Sequence, residues 1–367
     1  MKITRIRAWA LDLPFRDGAY RCRNRTEHGM ASTIVALSTD AGPVGWGEVA
    51  PLGAFYSEAF AGGVRAGLAV LAPELLGRDP RGIDRIVAAM DGAMMGQQDV
   101  KTPLDMALWD LAGKIAGLPL VTLLGGQDGQ GVPLYRSISQ AGAEAMAARA
   151  RAYREAGYGR LQVKVGEDPR LDAERLAAVV DAVGPGVPLY CDANGAWTSH
   201  EALRFLEMTR AFDYVLEQPC ASLSENRIVR QRCTKPFVLD ESVDSIEALL
   251  AIARDGAADG VTIKIARFGG ITRARRARDL ALDFGMMVTV EDIGGAEIDT
   301  AAIAALCLSM PEARRTHTVD FHNWVSVSNA AGFPAVAGGR MAAPQAPGLG
   351  IVPLETAFGA PFLDLSA

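Results

Sequence analysis

The sequence is short of the residues on which several classes of protein depend. Its five cysteines, Cys22, Cys191, Cys220, Cys233 and Cys307, are scattered and form no C-x-x-C pair. This excludes a disulfide framework and a cysteine-type zinc site. The four histidines, His28, His200, His317 and His322, have neither metal-ligand spacing nor a partnered nucleophile. No apolar run approaches the roughly 18 residues of a membrane span, and the opening MKITRIRAWALDLPF interrupts its apolar stretch with charge. A cytoplasmic protein with no membrane partner is expected. An excess of positive charge is also missing: 37 Lys+Arg stand against 43 Asp+Glu, a net charge of -6, so a nucleic-acid partner is not expected and a small molecule is. Lysine itself is scarce, at six residues among those 37 cations, which makes any lysine inside an apolar strand informative.

What is present is the texture of an α/β enzyme, with 49% hydrophobic and 22% charged residues. Residues 2–13, 32–39 and 42–48 read as strands of a small meander, 15–30 as a long polar loop, and 57–117 as helices. Residues 1–120 are therefore expected to form an α+β capping domain, with the tail 335–367 packing back on it. From 121 to 334, short apolar runs alternate with amphipathic helical stretches. Eight strand candidates are found, at 132–139, 160–166, 188–195, 214–220, 236–242, 260–270, 286–292 and 316–323. A right-handed series of eight βα units closes into a modified (β/α)8 TIM-type barrel.

In such a barrel the chemistry sits at the C-terminal ends of the strands. Three consecutive candidates end in a carboxylate: Asp192 in YCDANG, Glu217 in VLEQP and Asp240 in VLDES, spaced 25 and 23 residues apart. Three acids at one mouth repel one another unless a cation neutralises them, and an all-oxygen set favours Mg2+, with Mn2+ able to replace it. The plainer alternative is that such acids cap helices or pair with arginines. Asn194 points the same way as Asp192 and would support it, or serves as a turn residue. Lys164 in LQVKVG and Lys264 in VTIKIA flank the acids in apolar strands. Desolvation, with a nearby divalent cation adding to it, is expected to lower their pKa values and make them bases, the alternative being structural ion pairs. A metal that stabilises an enediolate between two lysines describes proton abstraction α to a carboxylate. A Schiff base on Lys264, or a binding role without catalysis, are the other readings.

DANGAW, LEQP, LDES and KIARFGGIT together resemble the enolase superfamily, in its muconate lactonizing enzyme and mandelate racemase branches. The resemblance runs over nearly the whole chain. It implies a cation held by Asp192, Glu217 and Asp240, Lys164 and Lys264 as the acid/base pair, a small carboxylate substrate and a homo-oligomer. Gln162 stands where the muconate lactonizing branch carries a first lysine. This Gln-x-Lys pattern is similar to that of a subgroup of proline betaine and hydroxyproline betaine epimerases and cis-3-hydroxyproline dehydratases. In that subgroup's terms Tyr56, Trp324 and Asp292 would hold an ammonium group by cation–π contact and countercharge. The DIGG run places Gly294 where the subgroup carries tryptophan. Epimerisation is the first expectation and β-elimination of a 3-hydroxyl the second.

Overall fold

The computed structural model describes residues 1–23 and 25–367. An N-terminal sheet of four antiparallel strands is ordered Leu363–Ser366, Ile3–Pro14, Gly29–Thr39, Val44–Val49. One face packs on helices Ala61–Leu71, Ile83–Ala93 and Gln98–Ala116, where Leu68, Val100, Leu104 and Leu108 meet Ile6, Val35 and Leu37 in a fully buried cluster. The long helix lies against the strand Val44–Val49 because Gly45 and Gly47 have no side chain. A Cβ there would stand 2.1 Å from the Ala107 carbonyl oxygen and 2.0 Å from that of Pro103. Part of the C-terminal segment returns to this sheet as the strand Leu363–Ser366, whereas Arg340–Met341 pairs with Val132–Pro133 beside the barrel.

The second sheet is parallel and curled, with strands in strict chain order: Tyr135–Ile138, Arg160–Lys164, Leu189–Asp192, Val215–Glu217, Phe237–Leu239, Gly260–Lys264 and Met287–Glu291. Helices join them, and several open as the sequence suggests. Thr198 and Glu201 form a reciprocal capping box, and Ser222 and Ser245 accept from backbone amides three residues on. The eighth expected strand is the exception. Residues 315–319 close the barrel through isolated parallel bridges, Val288↔Arg315 on one edge and Leu134↔Thr318 on the other. The Thr318 hydroxyl takes the Val290 carbonyl at 2.6 Å, an acceptor that a regular ladder would give to a backbone N–H, and the chain then turns at Phe321–Asn323.

The segment 15–30, expected to be a loop, contains a short hairpin, Tyr20–Cys22 against Arg25–Glu27. Its polar side chains have partners on the barrel. Asp17 accepts from Arg136 at 2.9 Å, Arg21 pairs with Glu167 at 2.9 Å, and the hydroxyls of Tyr20 and Ser137 lie 3.3 Å apart. Among the described residues no helix is long and apolar enough to cross a membrane.

His317 sits in the barrel interior between the rings of Tyr135 and Tyr190, at 4.7 and 4.3 Å, and its Nδ1 has no partner. Burial lowers its pKa to about 3, so the folded protein holds it neutral. The unfolded chain takes up a proton near pH 6.5 and the folded chain does not, so this group costs stability as pH falls from about 6.5 towards 3. At pH 5 the expected cost is about 2 kcal/mol, at 1.36 kcal/mol per pKa unit. Urea titrations at pH 7.5 and 5 should show His317→Leu losing about that much less than wild type between the two. Equal losses would show that His317 is not held neutral.

Candidate active site

The site is built by alternation along the parallel strands. Side chains at every second position face the barrel axis, so Gln162 and Lys164 share a side, as do Tyr190 and Asp192, or Thr262 and Lys264. Register does the rest. Lys164 pairs laterally with Asp192, Asp192 with Glu217, and Lys264 with Glu291.

All these groups are buried, and they form one polar network. Lys164 Nζ donates to Asp192 Oδ2 at 2.5 Å. Lys264 Nζ donates to Asp240 Oδ2 at 2.9 Å and to the Tyr56 hydroxyl at 2.5 Å, and it lies 3.1 Å from Glu291 Oε1. Arg267 Nη1 donates to Asp240 Oδ1 at 2.6 Å, and Tyr135 donates to Glu291 at 2.8 Å. Gln162 Nε2 donates to Glu217 Oε2 at 2.9 Å. Asn194, at φ +47°, gives its backbone N–H to Asp192 at 2.7 Å and its amide to Glu241 at 3.0 Å.

Without a bound cation, this pairing holds both lysines up, where desolvation together with a nearby cation is expected to lower them. Burial opposes the charge on Lys164, but Asp192 and the other acidic groups around it together outweigh it and hold the ammonium well above its ordinary value. Lys264 is held up in the same way by Asp240 and Glu291. Apolar neighbours along a strand do not reveal a carboxylate on the next one. Asp240 is held at about 2, because Arg267 and Lys264 outweigh its burial.

Glu217 is the opposite case. Burial and the charges of Asp192, Asp240 and Glu291 push its carboxyl well above the usual range. Its contacts are the Gln162 amide and, at 3.3 Å, the Thr262 hydroxyl. Among the described residues no three His, Cys, Asp or Glu side chains close on one point tightly enough to hold an ion, and Asp192 and Asp240 are each paired with a lysine. The donor set nevertheless suits a divalent cation. Three carboxylates lie on consecutive strands, one of them lacks a cationic partner of its own, and all are hard oxygen ligands.

Above the network is a cavity of about 30 Å3 lined by Tyr20, Tyr56, Lys164, Lys264, Asp292 and Trp324, among others. That is room for a few waters. Tyr56, Gln162, Lys164, Asp192, Lys264, Asp292 and Trp324 all line it. Asn194 does not, and reaches it through Asp192, to which it donates its backbone N–H. The Asp292 carboxylate is partly committed, accepting from the backbone of Ala266 at 3.0 Å and Ile293 at 2.8 Å. Gly294 leaves no room for a side chain: a Cβ would stand 2.1 Å from Met30 Sδ and 2.8 Å from the Ala50 carbonyl. Sequence reasoning missed Glu291 and Arg267. Alternation in MMVTVED could have picked out Glu291, but Arg267 carries no such signal.

Residues 17–125 match the family model for the mandelate racemase/muconate lactonizing enzyme N-terminal domain, and residues 145–357 match the enolase C-terminal domain-like model. The chain belongs to the enolase superfamily, in its mandelate racemase/muconate lactonizing enzyme branch. A superfamily member from Roseibium aggregatum, a cis-3-hydroxy-L-proline dehydratase, is 41% identical over 98% of this chain and 99% of its own. The L-Ala-D/L-Glu epimerase of Bacillus subtilis is 30% identical over 96% of this chain and 97% of its own. A crystal structure of a superfamily protein from Roseovarius nubinhibens ISM, complexed with magnesium, superposes with a TM-score of 0.96 at 39% identity over 100% of both chains. This protein is thus an enolase-superfamily enzyme with a mixed α/β fold.

Proposed function

We propose that the enzyme is a Mg2+-dependent dehydratase of a cis-3-hydroxyproline-type amino acid, acting by β-elimination. The observation that carries this reading is the 41% identity, end to end, with a dehydratase of that substrate. It reverses the order expected from sequence, which put epimerisation first. The same reading takes it as a cytoplasmic homo-oligomer without nucleic-acid or membrane partners, in keeping with its net charge of -6 and its five free cysteines.

In cis-3-hydroxyproline the C3 hydroxyl lies on the carboxylate's side of the ring, so the C2 proton lies on the opposite face. Elimination then needs a base on one face and an acid on the other, the task suited to Lys164 and Lys264 on their separate strands. The lysine that enters as a neutral amine takes the C2 proton. Its counterpart, as ammonium, protonates the C3 hydroxyl, the C3–O bond breaks, a C2=C3 double bond forms and water leaves. The resulting enamine tautomerises to the cyclic imine. Asp192, Glu217 and Asp240 would hold the cation, which when bound offsets negative charge building on the substrate carboxylate. With those acids so engaged, Lys164 loses the carboxylate that keeps it protonated, whereas Lys264 gives up Asp240 and keeps Glu291. Tyr56 and Trp324 would face the ring ammonium, an attraction of up to about 2 kcal/mol when desolvated, with Asp292 as countercharge.

The test is proton NMR in D2O with Mg2+, offering cis-3-hydroxy-L-proline, L-proline betaine and its 4-hydroxy analogue. Loss of the C3 carbinol signal with formation of a pyrroline carboxylate is expected from the first. Exchange at C2 with an intact ring and growth of the opposite stereoisomer would establish the epimerase instead. That second reading is favoured by the two lysines on opposite strands and by the epimerases among the relatives. No reaction with any of the three would reject both substrate readings.

A further inference from the structure

Three buried acids meet where the cap joins the end of the barrel, and among the described residues none of them forms a salt bridge. Glu48 comes from the cap strand Val44–Val49, Asp292 follows the seventh barrel strand, and Asp299 stands in the first turn of the helix Glu297–Leu308. Their exposures are 0%, 3% and 0%, so each charge must be met by donors or given up. Glu48 has donors: the Ser32 hydroxyl at 2.7 Å and the backbone N–H groups of Ala296 and Asp299 at 3.1 and 3.0 Å. It therefore fills the anion position at the helix start. Asp292 has donors too, the N–H groups of Ala266 and Ile293. Asp299 has none, since neither of its carboxyl oxygens meets an N–H or a hydroxyl.

The Asp299 carboxyl lies within hydrogen-bonding reach of that of Asp292, and two carboxyls can share a hydrogen bond only if one carries a proton. The donor count places that proton on Asp299. Burial and the charges of Asp292 and Glu48 push Asp299 well above the carboxylate range, whereas Asp292, although raised by burial, stays at about 6. Asp99 and Lys264 are the other charged groups within range of Asp292. The position is tightly set: a Cβ on Gly295 would lie 2.4 Å from that of Asp299.

We propose that Asp299 is a neutral carboxylic acid that donates its proton to Asp292 and so keeps Asp292 ionised, making it a positioning residue for the substrate's ammonium group. The role in substrate binding rests on the ammonium-bearing substrate proposed above, whereas the protonation of Asp299 does not. Asp292 lines the active-site cavity with Tyr56 and Trp324. Without a donor in place of Asp299, the buried Asp292 would lose one of the bonds that hold its charge and take up the proton itself, leaving the cavity without a countercharge.

The two parts have separate tests. In infrared difference spectra at pH 8, wild type minus Asp299→Asn should show the C=O stretch of a protonated carboxylic acid that shifts on deuteration. Absence of that band would overturn the proposal whatever the substrate is. For binding, Asp299→Asn keeps an N–H donor and should leave calorimetric L-proline affinity and the KM for cis-3-hydroxy-L-proline close to wild type. Asp299→Leu, which has no donor, should weaken both about tenfold, equivalent to 1.4 kcal/mol, with kcat much less affected. A loss in both variants alike, or in neither, would overturn the positioning role. If wild type neither binds proline nor turns over the hydroxyproline, the substrate reading fails and the infrared band alone decides the state of Asp299.

Discussion

Lys264→Ala is expected to lower kcat by about a thousandfold, within the range of a lost general acid or base, at a smaller cost in stability than the same change at Lys164. The asymmetry comes from the partners. Without Lys264, Asp240 still has the Arg267 guanidinium at 2.6 Å, and Glu291, which loses its cation, keeps the Tyr135 hydroxyl at 2.8 Å. Lys164→Ala should cost as much activity and far more stability, because Asp192 then retains only the Asn194 backbone N–H at 2.7 Å. An uncompensated buried charge of that kind costs about 3–5 kcal/mol. Initial rates with Mg2+ and urea titrations without it, wild type and both variants side by side, measure both effects. Equal stability losses would contradict the network as drawn. Turnover within tenfold of wild type in either variant would remove that lysine from the chemistry.

Glu217→Gln is expected to abolish turnover and at the same time to stabilise the metal-free protein. The carboxyl is buried among Asp192, Asp240 and Glu291, and an amide of the same shape ends that repulsion. In wild type, Mg2+ at about a hundred times its dissociation constant should add about 2.7 kcal/mol, and chelation should remove both this gain and the activity. The variant should begin with a higher Tm than chelated wild type and gain little when Mg2+ is added. Thermal scans with EDTA and with Mg2+ test this. A variant less stable than wild type without metal, or one that still gains the full Mg2+ shift, would exclude Glu217 as a ligand.

The acids at the barrel mouth were legible because each ends an apolar run and the runs recur at the length of one βα unit, so composition and spacing alone bring Asp192, Glu217 and Asp240 to one end of the barrel. Lys164 and Lys264 were legible for a similar reason, as rare charges inside strands. Which group each one pairs with was not. Lys264 meets Glu291 through lateral register, and Lys164 meets Asp192 in the same way. Neither relation is written along the chain, so the upward pull of these carboxylates on the lysines of the metal-free protein was not legible. Arg267 was missed because its role depends on the turn Ala266–Phe268 swinging it over Asp240. The hairpin within 15–30 was hidden by its arginines, whose partners belong to the barrel. In THTVDFHN, β-branched alternation signals a strand equally well whether the threonine hydroxyls face solvent or, as here, take the neighbouring carbonyls.

The lateral pairing of Lys164 with Asp192 and of Asp192 with Glu217 means that the reactive groups are addressed by parity. Each points inward because it stands an even number of positions from the other axis-facing residues of its strand. Losing one residue between Arg160 and Lys164 would exchange odd for even, turning the lysine out towards the helices and a valine in towards the mouth. An insertion in the loop after the strand would leave that parity intact. Sequence change in this enzyme therefore has two regimes: loops can vary in length, while the strands can vary in side chain but not in count.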